Sequence, residues 1–409
     1  MKYLNLKEKI SEYQAKLEHA YSVYPEKKFR NNPESRYMAM IWTAVIITFI
    51  GVVLASRVVN TTAATMVYPD GDPAQVPEEG IGKEIILQFT GDIMCHDGQL
   101  KDAEVTENRF IFDRSYTEIR DIISSADLSI TTFDGVISTD ELGYSGHPDY
   151  FTPIEFVRAA STAGTDIISM NSANADNAKK DGITYTKEKI DHLSTALWNE
   201  PVIKDVDGVK VALVPVYDSD DEDDVGYNIY NKSQLRKDLR YCKDNNADYT
   251  IAYIRWESDA GYVPTEKMRT KSSYLLSIGF DMVVGGGNRS VLPAEVLTVD
   301  KYGDPGEKKS GIVFYSLGNM LSNQRTDLGD VGAIVNLRLR KISSEKTKLV
   351  SYEVIPTYTN VDLENGKNFR IVPVVDGGYA PDWMDDYNKD RYSEVGQIVK
   401  KMIGEIGYP

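Results

Sequence analysis

Cysteine and histidine are both scarce, with two and four copies in 409 residues. Two cysteines cannot build a disulfide framework or a thiolate metal cluster. Cys95 and Cys242 therefore read as unpaired thiols, with a single bridge between them as the other option. The histidines at 19, 96, 147 and 192 show no ligand spacing. An excess of positive charge is missing too: 46 Lys and Arg stand against 62 Asp and Glu, a formal charge of −16. The first 36 residues hold eight of the basic and five of the acidic side chains, which leaves the rest of the chain at −19. Such a surface argues against nucleic acid as a partner and against simple electrostatic capture of a polyanion.

Charge is absent altogether from residues 37–55 (YMAMIWTAVIITFIGVVLA), between Arg36 and Arg57. As a helix these 19 residues reach roughly 28 Å, about one bilayer core. A buried helix of a soluble protein keeps a polar face, whereas only Thr43 and Thr48 interrupt this one. One transmembrane helix is expected. A cleaved signal peptide fits less well, because the apolar run follows a charged tail and Ala55-Ser56-Arg57 is a poor cleavage site. Lys27, Lys28, Arg30 and Arg36 precede the run, while Arg57 stands alone after it until Lys83. That bias puts the N-terminus in the cytoplasm and the main domain outside a single-pass cell-membrane anchor.

The expected organisation is a cytoplasmic tail (1–36), the span (37–55), a flexible stalk (56–82) and an extracytoplasmic domain (83–409). In the tail, Leu6, Ile10, Tyr13 and Leu17 have helical spacing, which gives a short amphipathic helix that either meets a membrane partner or is simply solvated. The stalk mixes Thr, Ala, Gly, Pro and acidic residues without apolar period. A large outer domain without a disulfide framework suits a bacterial surface.

From Glu84 onward, short β-rich runs (IILQFTG, LSITTF, DIISM, VKVALVPV, YTIAYIRW, DMVVGG, GIVFYSL) alternate with amphipathic segments near 116–125, 153–163, 186–198, 233–244 and 264–278. This alternation predicts an α/β domain with a mainly parallel inner sheet. The later runs IVNLRLRKI and KLVSYEVIPTYT alternate apolar with polar residues and predict an antiparallel pair. No internal repeat is visible. In such sheets the functional groups sit on loops at the carboxyl ends of strands. Thr90-Gly91-Asp92, Thr132-Phe133-Asp134, Asn171-Ser172-Ala173-Asn174, Arg255-Trp256-Glu257 and Gly285-Gly286-Gly287-Asn288-Arg289 all fall there.

At these loops the chain resembles the CapA/PgsA family of capsule and poly-gamma-glutamate synthesis proteins, over about residues 84–357. The family's opening Gly-Asp-x-Met is Gly91-Asp92-Ile93-Met94, and its closing Tyr-Ser-Leu-Gly-Asn is intact at 315–319. Ala126-Asp127-Leu128, Ala163-Gly164-Thr165-Asp166, residues 182–186 and Gly279-Phe280-Asp281 keep the family's order and spacing. The resemblance implies a metallophosphoesterase-like layered fold with mixed sheets and flanking helices, and a site with metal-binding histidines. Those histidines are missing. The family's Asn-x-Glu is Thr132-Phe133-Asp134, its Asn-Asn-His is Ser172-Ala173-Asn174, its His-Trp-Gly-x-Glu begins Arg255-Trp256-Glu257, and its Gly-x-His-Pro-His is the stretch 285–289.

A two-metal centre needs a bridging carboxylate and several imidazole or amide ligands, and arginine cannot become a ligand. Asp92 and Asp134 are the remaining candidates for catalysis or a remnant metal site, with His96 close behind in sequence. Pairing of Asp92 with Arg255 or Arg289 is the favoured alternative. Asn174, Arg255, Glu257, Asn288, Arg289, Ser316 and Asn319 are expected to line the cleft. Gly285-Gly286-Gly287 with Arg289 would cradle an anion or form a plain turn. The acidic run 218–224 lacks EF-hand spacing and reads as a solvated loop. No cofactor is expected, a single divalent metal being the alternative. The leading functional expectation is a membrane-anchored protein that binds or scaffolds an anionic surface polymer during its synthesis, export or retention, with membrane subunits of such a system as partners. The rival is an atypical metal-dependent hydrolase using Asp92 and Asp134.

Overall fold

The computed structural model describes residues 82–172, 174, 179–219, 226–257, 261–326, 328–343, 346–375 and 378–403. The tail, the span and all of the stalk but residue 82 lie outside these residues. No described helix is long and apolar enough to cross a membrane.

Two mixed sheets are laid down in chain order. The first four strands, β1 (Glu84–Thr90), β2 (Leu128–Thr132), β3 (Ile167–Ser169) and β4 (Thr195–Leu197), pair in parallel side by side. The next six build a second sheet: β5 (Val202–Val206), β6 (Val209–Asp218), β7 (Tyr249–Trp256), β8 (Met282–Gly286), β9 (Ala294–Lys301) and β10 (Asp304–Phe314), in spatial order 5-6-7-8-10-9. Its inner strands β6, β7, β8 and β10 are parallel, and β5 and β9 flank them antiparallel. Three last strands, β11 (Val331–Ser343), β12 (Lys346–Asp362) and β13 (Lys367–Pro373), return to the first sheet antiparallel beside β1. The antiparallel pair expected late in the chain is β11–β12. The one inner sheet expected is in fact two sheets: the second has parallel inner strands, while the first is parallel from β1 to β4 and antiparallel from β1 to β13.

Burial on both faces explains why the parallel strands read as continuous apolar runs. In β7, Tyr249, Ile251 and Tyr253 face a core shared with Ile85, Leu87 and Phe89 of β1. Ala252, Ile254 and Trp256 point the other way, against helices. Phe89 and Tyr253 stack across the sheets at 5.9 Å between ring centroids. Among the described residues the longer helices are α1 (Asp97–Ala103), α2 (Ile154–Ala163), α3 (Lys179–Asp191), α4 (Lys232–Asp244), α5 (Glu266–Ile278) and α6 (Asp386–Ile403). Phe156, Val157, Ile183 and Ile190 of α2 and α3 cover the first sheet, and Leu235, Leu239, Leu275 and Leu276 of α4 and α5 cover the second.

The segment expected at 186–198 is displaced: its helix spans Lys179–Asp191, and Thr195–Leu197 is a strand. The weak segment near 116–125 forms only the short turns Asp113–Tyr116 and Arg120–Ile123. Helix α6, which the sequence reading did not identify, adds Tyr392, Val395, Val399 and Ile403 to the core between the sheets.

A repeated device does exist, though too short to see as a sequence repeat. Asp127, Asp166, Asp248 and Asp281 each stand just before a parallel strand. Each backbone N–H donates to a carbonyl of the neighbouring strand (Ile86, Ser129, Lys210 and Thr250) at 2.7–3.0 Å. Each carboxylate then accepts the N–H of that same residue at 2.8–2.9 Å. These brackets close the amino ends of both sheets, so three of the family-like segments, those holding Asp127, Asp166 and Asp281, are structural. The carboxyl ends are left for the site.

Candidate functional site

The loops after β1, β2, β3, β7 and β8 converge at the carboxyl ends of the strands. Asp92, Asp134 and Arg255 are drawn together there and are only 4 %, 2 % and 7 % exposed. Asp134 Oδ1 accepts from Ser172 Oγ at 2.6 Å and from Asn174 Nδ2 at 3.1 Å. Its Oδ2 lies 3.7 Å from Arg255 Nη2. At an effective dielectric of about 20 such a pair attracts by about 4 kcal/mol. Burial opposes the charge on Arg255, but Asp134 and then Asp92 outweigh it and raise its pKa.

Asp92 is held differently from the expected salt bridge. Its Oδ2 accepts the Gly287 N–H at 2.9 Å, and Thr132 adds a second hydrogen bond. The glycine loop expected to cradle an anion thus holds the chain's own carboxylate. Gly287 has φ +85° and lies so close to Arg255 that a Cβ there would stand 2.7 Å from Nη1, so glycine is required on both counts. Burial pushes the Asp92 carboxyl up to about 6, helped by Asp134 and opposed by Arg255.

Arg289 is exposed and holds φ +56°, a conformation an arginine adopts at some cost. Its charge reaches His96 and Tyr150. His96 heads α1, where its N–H donates to Gln99 Oε1 at 2.9 Å, and its Nε2 lies 3.3 Å from Ser322 Oγ. Burial, with Arg289 and His147 and against Asp97 and Asp134, lowers the His96 pKa to about 4, so the ring is neutral at physiological pH. Tyr150 sits edge-on between the rings of His96 and His147, at 5.3 and 6.0 Å.

Other expected lining residues serve the scaffold. Glu257 is directed to Lys267 at 3.6 Å and Ser219 at 3.4 Å. Asn288 donates to the Gly261 and Ser290 carbonyls, Ser316 Oγ accepts the Gly318 N–H, and Asn319 donates to Gln324 and the Gly329 carbonyl. Asp218, expected in a solvated loop, is 1 % exposed and paired with Lys267 and Lys271; residues 220–224 of that run lie outside the described ones. Cys95 and Cys242 are both buried free thiols.

The sequence reading missed Thr132, Ser172 and Tyr253 as support. Thr132 Oγ1 meets Tyr253 OH at 2.9 Å across the sheets, and Tyr227 OH pins the Ser172 carbonyl at 2.6 Å. The first two stood in motif loops already singled out; Tyr150 and His147 had no signal at all. Grooves of about 630 and 410 Å³ open elsewhere, at the bracketed amino ends, the first beside Asp127 and Asp166 and the second beside Asp248 and Asp281. Their bracket aspartates are already bound to backbone N–H groups, so we place the chemistry at the carboxyl ends.

The donor set does not fit a dinuclear metal centre. Among the described residues no three His, Cys, Asp or Glu side chains stand together as a metal site would require, and the Arg255 guanidinium lies against the Asp134 carboxylate. The fold is a mixed α/β domain with a buried ionic cluster where parallel strands end. A model of the bacterial capsule synthesis protein PGA_cap matches residues 86–324, so the chain belongs to that family. The capsule biosynthesis protein CapA of Bacillus anthracis is 24% identical over 314 residues, covering 71% of this chain and 72% of that protein. Similar solved structures include a hypothetical protein of Thermus thermophilus (TM-score 0.41, 15% identity, 66% of this chain and 99% of that one). A phosphatase of Mycoplasma pneumoniae is another (TM-score 0.39, 10% identity, 70% and 99%).

Proposed function

We propose that this chain is a membrane-anchored capsule-family protein that acts in the synthesis, export or retention of an anionic surface polymer by binding or scaffolding, not by metal catalysis. The apolar run at 37–55 supports the anchor. The observation that carries the non-catalytic part is the commitment of both carboxylates: Asp134 to Ser172, Asn174 and Arg255, and Asp92 to Gly287. Phosphoesterase assays of the purified chain with Mn²⁺ test this, with no metal-stimulated turnover expected; robust Mn²⁺-dependent hydrolysis would overturn it.

One observation favours a second reading, an atypical hydrolase. A buried carboxyl titrating near 6 is poised for acid–base work. In that case Asp92→Asn abolishes turnover and leaves the fold intact, whereas a scaffold keeps its function with asparagine there.

A further inference from the structure

Around this site Arg255 leaves charged donors without partners, whereas the unpartnered acceptors, Asn171 Oδ1 and Asn319 Oδ1, are neutral amide oxygens. Arg255 is buried, yet among the described residues its Nε and Nη1 meet no hydrogen-bond acceptor. Arg289 reaches the mouth of the site and makes no hydrogen bond or ion pair among the described residues. Tyr150 is 3 % exposed, its hydroxyl meets no partner among the described residues, and it lies in the field of Arg289 and Asp134. The charged acceptors are engaged elsewhere: Asp134 Oδ1 by Ser172 and Asn174, and Asp92 Oδ2 by Gly287. Buried polar groups are normally satisfied, and a buried cation above all. What the site lacks is an acceptor that carries negative charge.

We propose that this mouth binds a single oxyanion group, a carboxylate or a phosphate diester, between Arg289 and the Tyr150 hydroxyl, with Arg255 as the buried counter-charge. The inference rests on reading the cleft as a binding site and not a metal centre. A guanidinium fork matches two oxygens of either group. Two aspartates and two arginines give the cluster no net formal charge, so it accommodates one negative charge better than a highly charged phosphate. The −19 balance outside the tail also opposes long-range capture of a polyanion, so recognition is by local geometry, one group at a time.

The test uses the full chain in detergent, titrated with propionate or dimethyl phosphate against chloride at equal ionic strength, read by thermal midpoint. A saturable rise with propionate alone identifies a carboxylate site, with dimethyl phosphate alone a phosphodiester site, and with both a general oxyanion site. Arg289→Gln should weaken binding about tenfold, the loss expected for a charged hydrogen bond. Tyr150→Phe should weaken it less, and Arg240→Gln, at an exposed arginine on α4, not at all. Absence of saturable binding of either anion, or binding unchanged in Arg289→Gln, overturns the proposal. Metal analysis of the same sample separates the two readings: two bound ions per chain overturn the binding reading itself, while a metal-free chain indifferent to both anions overturns only the oxyanion site.

Discussion

Replacing Asp92 with asparagine should stabilise the protein at high pH and leave it nearly unchanged at low pH. The carboxyl moves from an ordinary 3.8 to about 6 in the fold, chiefly through burial. At about 1.4 kcal/mol per pKa unit, the ionised group costs about 3 kcal/mol relative to its protonated form. Because the folded pKa is raised, this favourable proton linkage is fully present below pH 4 and is lost as pH rises through 6. Asparagine cannot ionise and keeps an oxygen to accept the Gly287 N–H, so Asp92→Asn should match wild type near pH 4 and exceed it by about 2–3 kcal/mol at pH 8. Urea unfolding at the two pH values measures the difference. A variant less stable than wild type at pH 8 would refute the reasoning, since ionised Asp92 would then be held by Arg255 or another cation more strongly than burial penalises it.

Arg255→Met should cost about 3–5 kcal/mol at pH 8 by leaving two buried carboxylates without their cation. Part of that loss should return at pH 5, because removing Arg255 raises the folded pKa of Asp92 further and protonation relieves the repulsion; urea unfolding at both pH values reads it. Ser172→Ala should cost about 1–2 kcal/mol by removing the 2.6 Å hydrogen bond to Asp134, seen as a lower urea midpoint. Asp281→Ala should cost about 2–3 kcal/mol, because this bracket accepts from both the N–H and the hydroxyl of Thr250 and from Lys309. Hydrogen exchange at β7 and β8 should locate that loss.

Strand positions were legible because strands buried on both faces leave unbroken runs such as VKVALVPV and YTIAYIRW. The division into two sheets was not, since pairing between β1 and β11 joins residues some 250 apart and leaves no local trace. Helix α3 was misplaced because its apolar spacing is weak, with only Ile183 and Ile190 firmly in the core. At the site, Asp92, Asp134 and Arg255 were legible as a group because each ends a strand. Their partnership was not: the sequence suggested that Asp92 pairs with an arginine, whereas the backbone at Gly287 reaches Asp92 first and Arg255 goes to Asp134. Glu257 follows Trp256 in the chain, but the nearby Lys267 at the start of α5 draws it aside. Tyr150 and His147 arrive on a loop that carries no motif.

Elemental analysis of the full-length chain, purified without chelator and dialysed against Mn²⁺ and then metal-free buffer, bears most directly on whether Arg255 stands in place of metal at this site. Far less than one divalent ion per chain should remain. Two tightly retained ions per chain would contradict it and return Asp92 and Asp134 to the role of ligands.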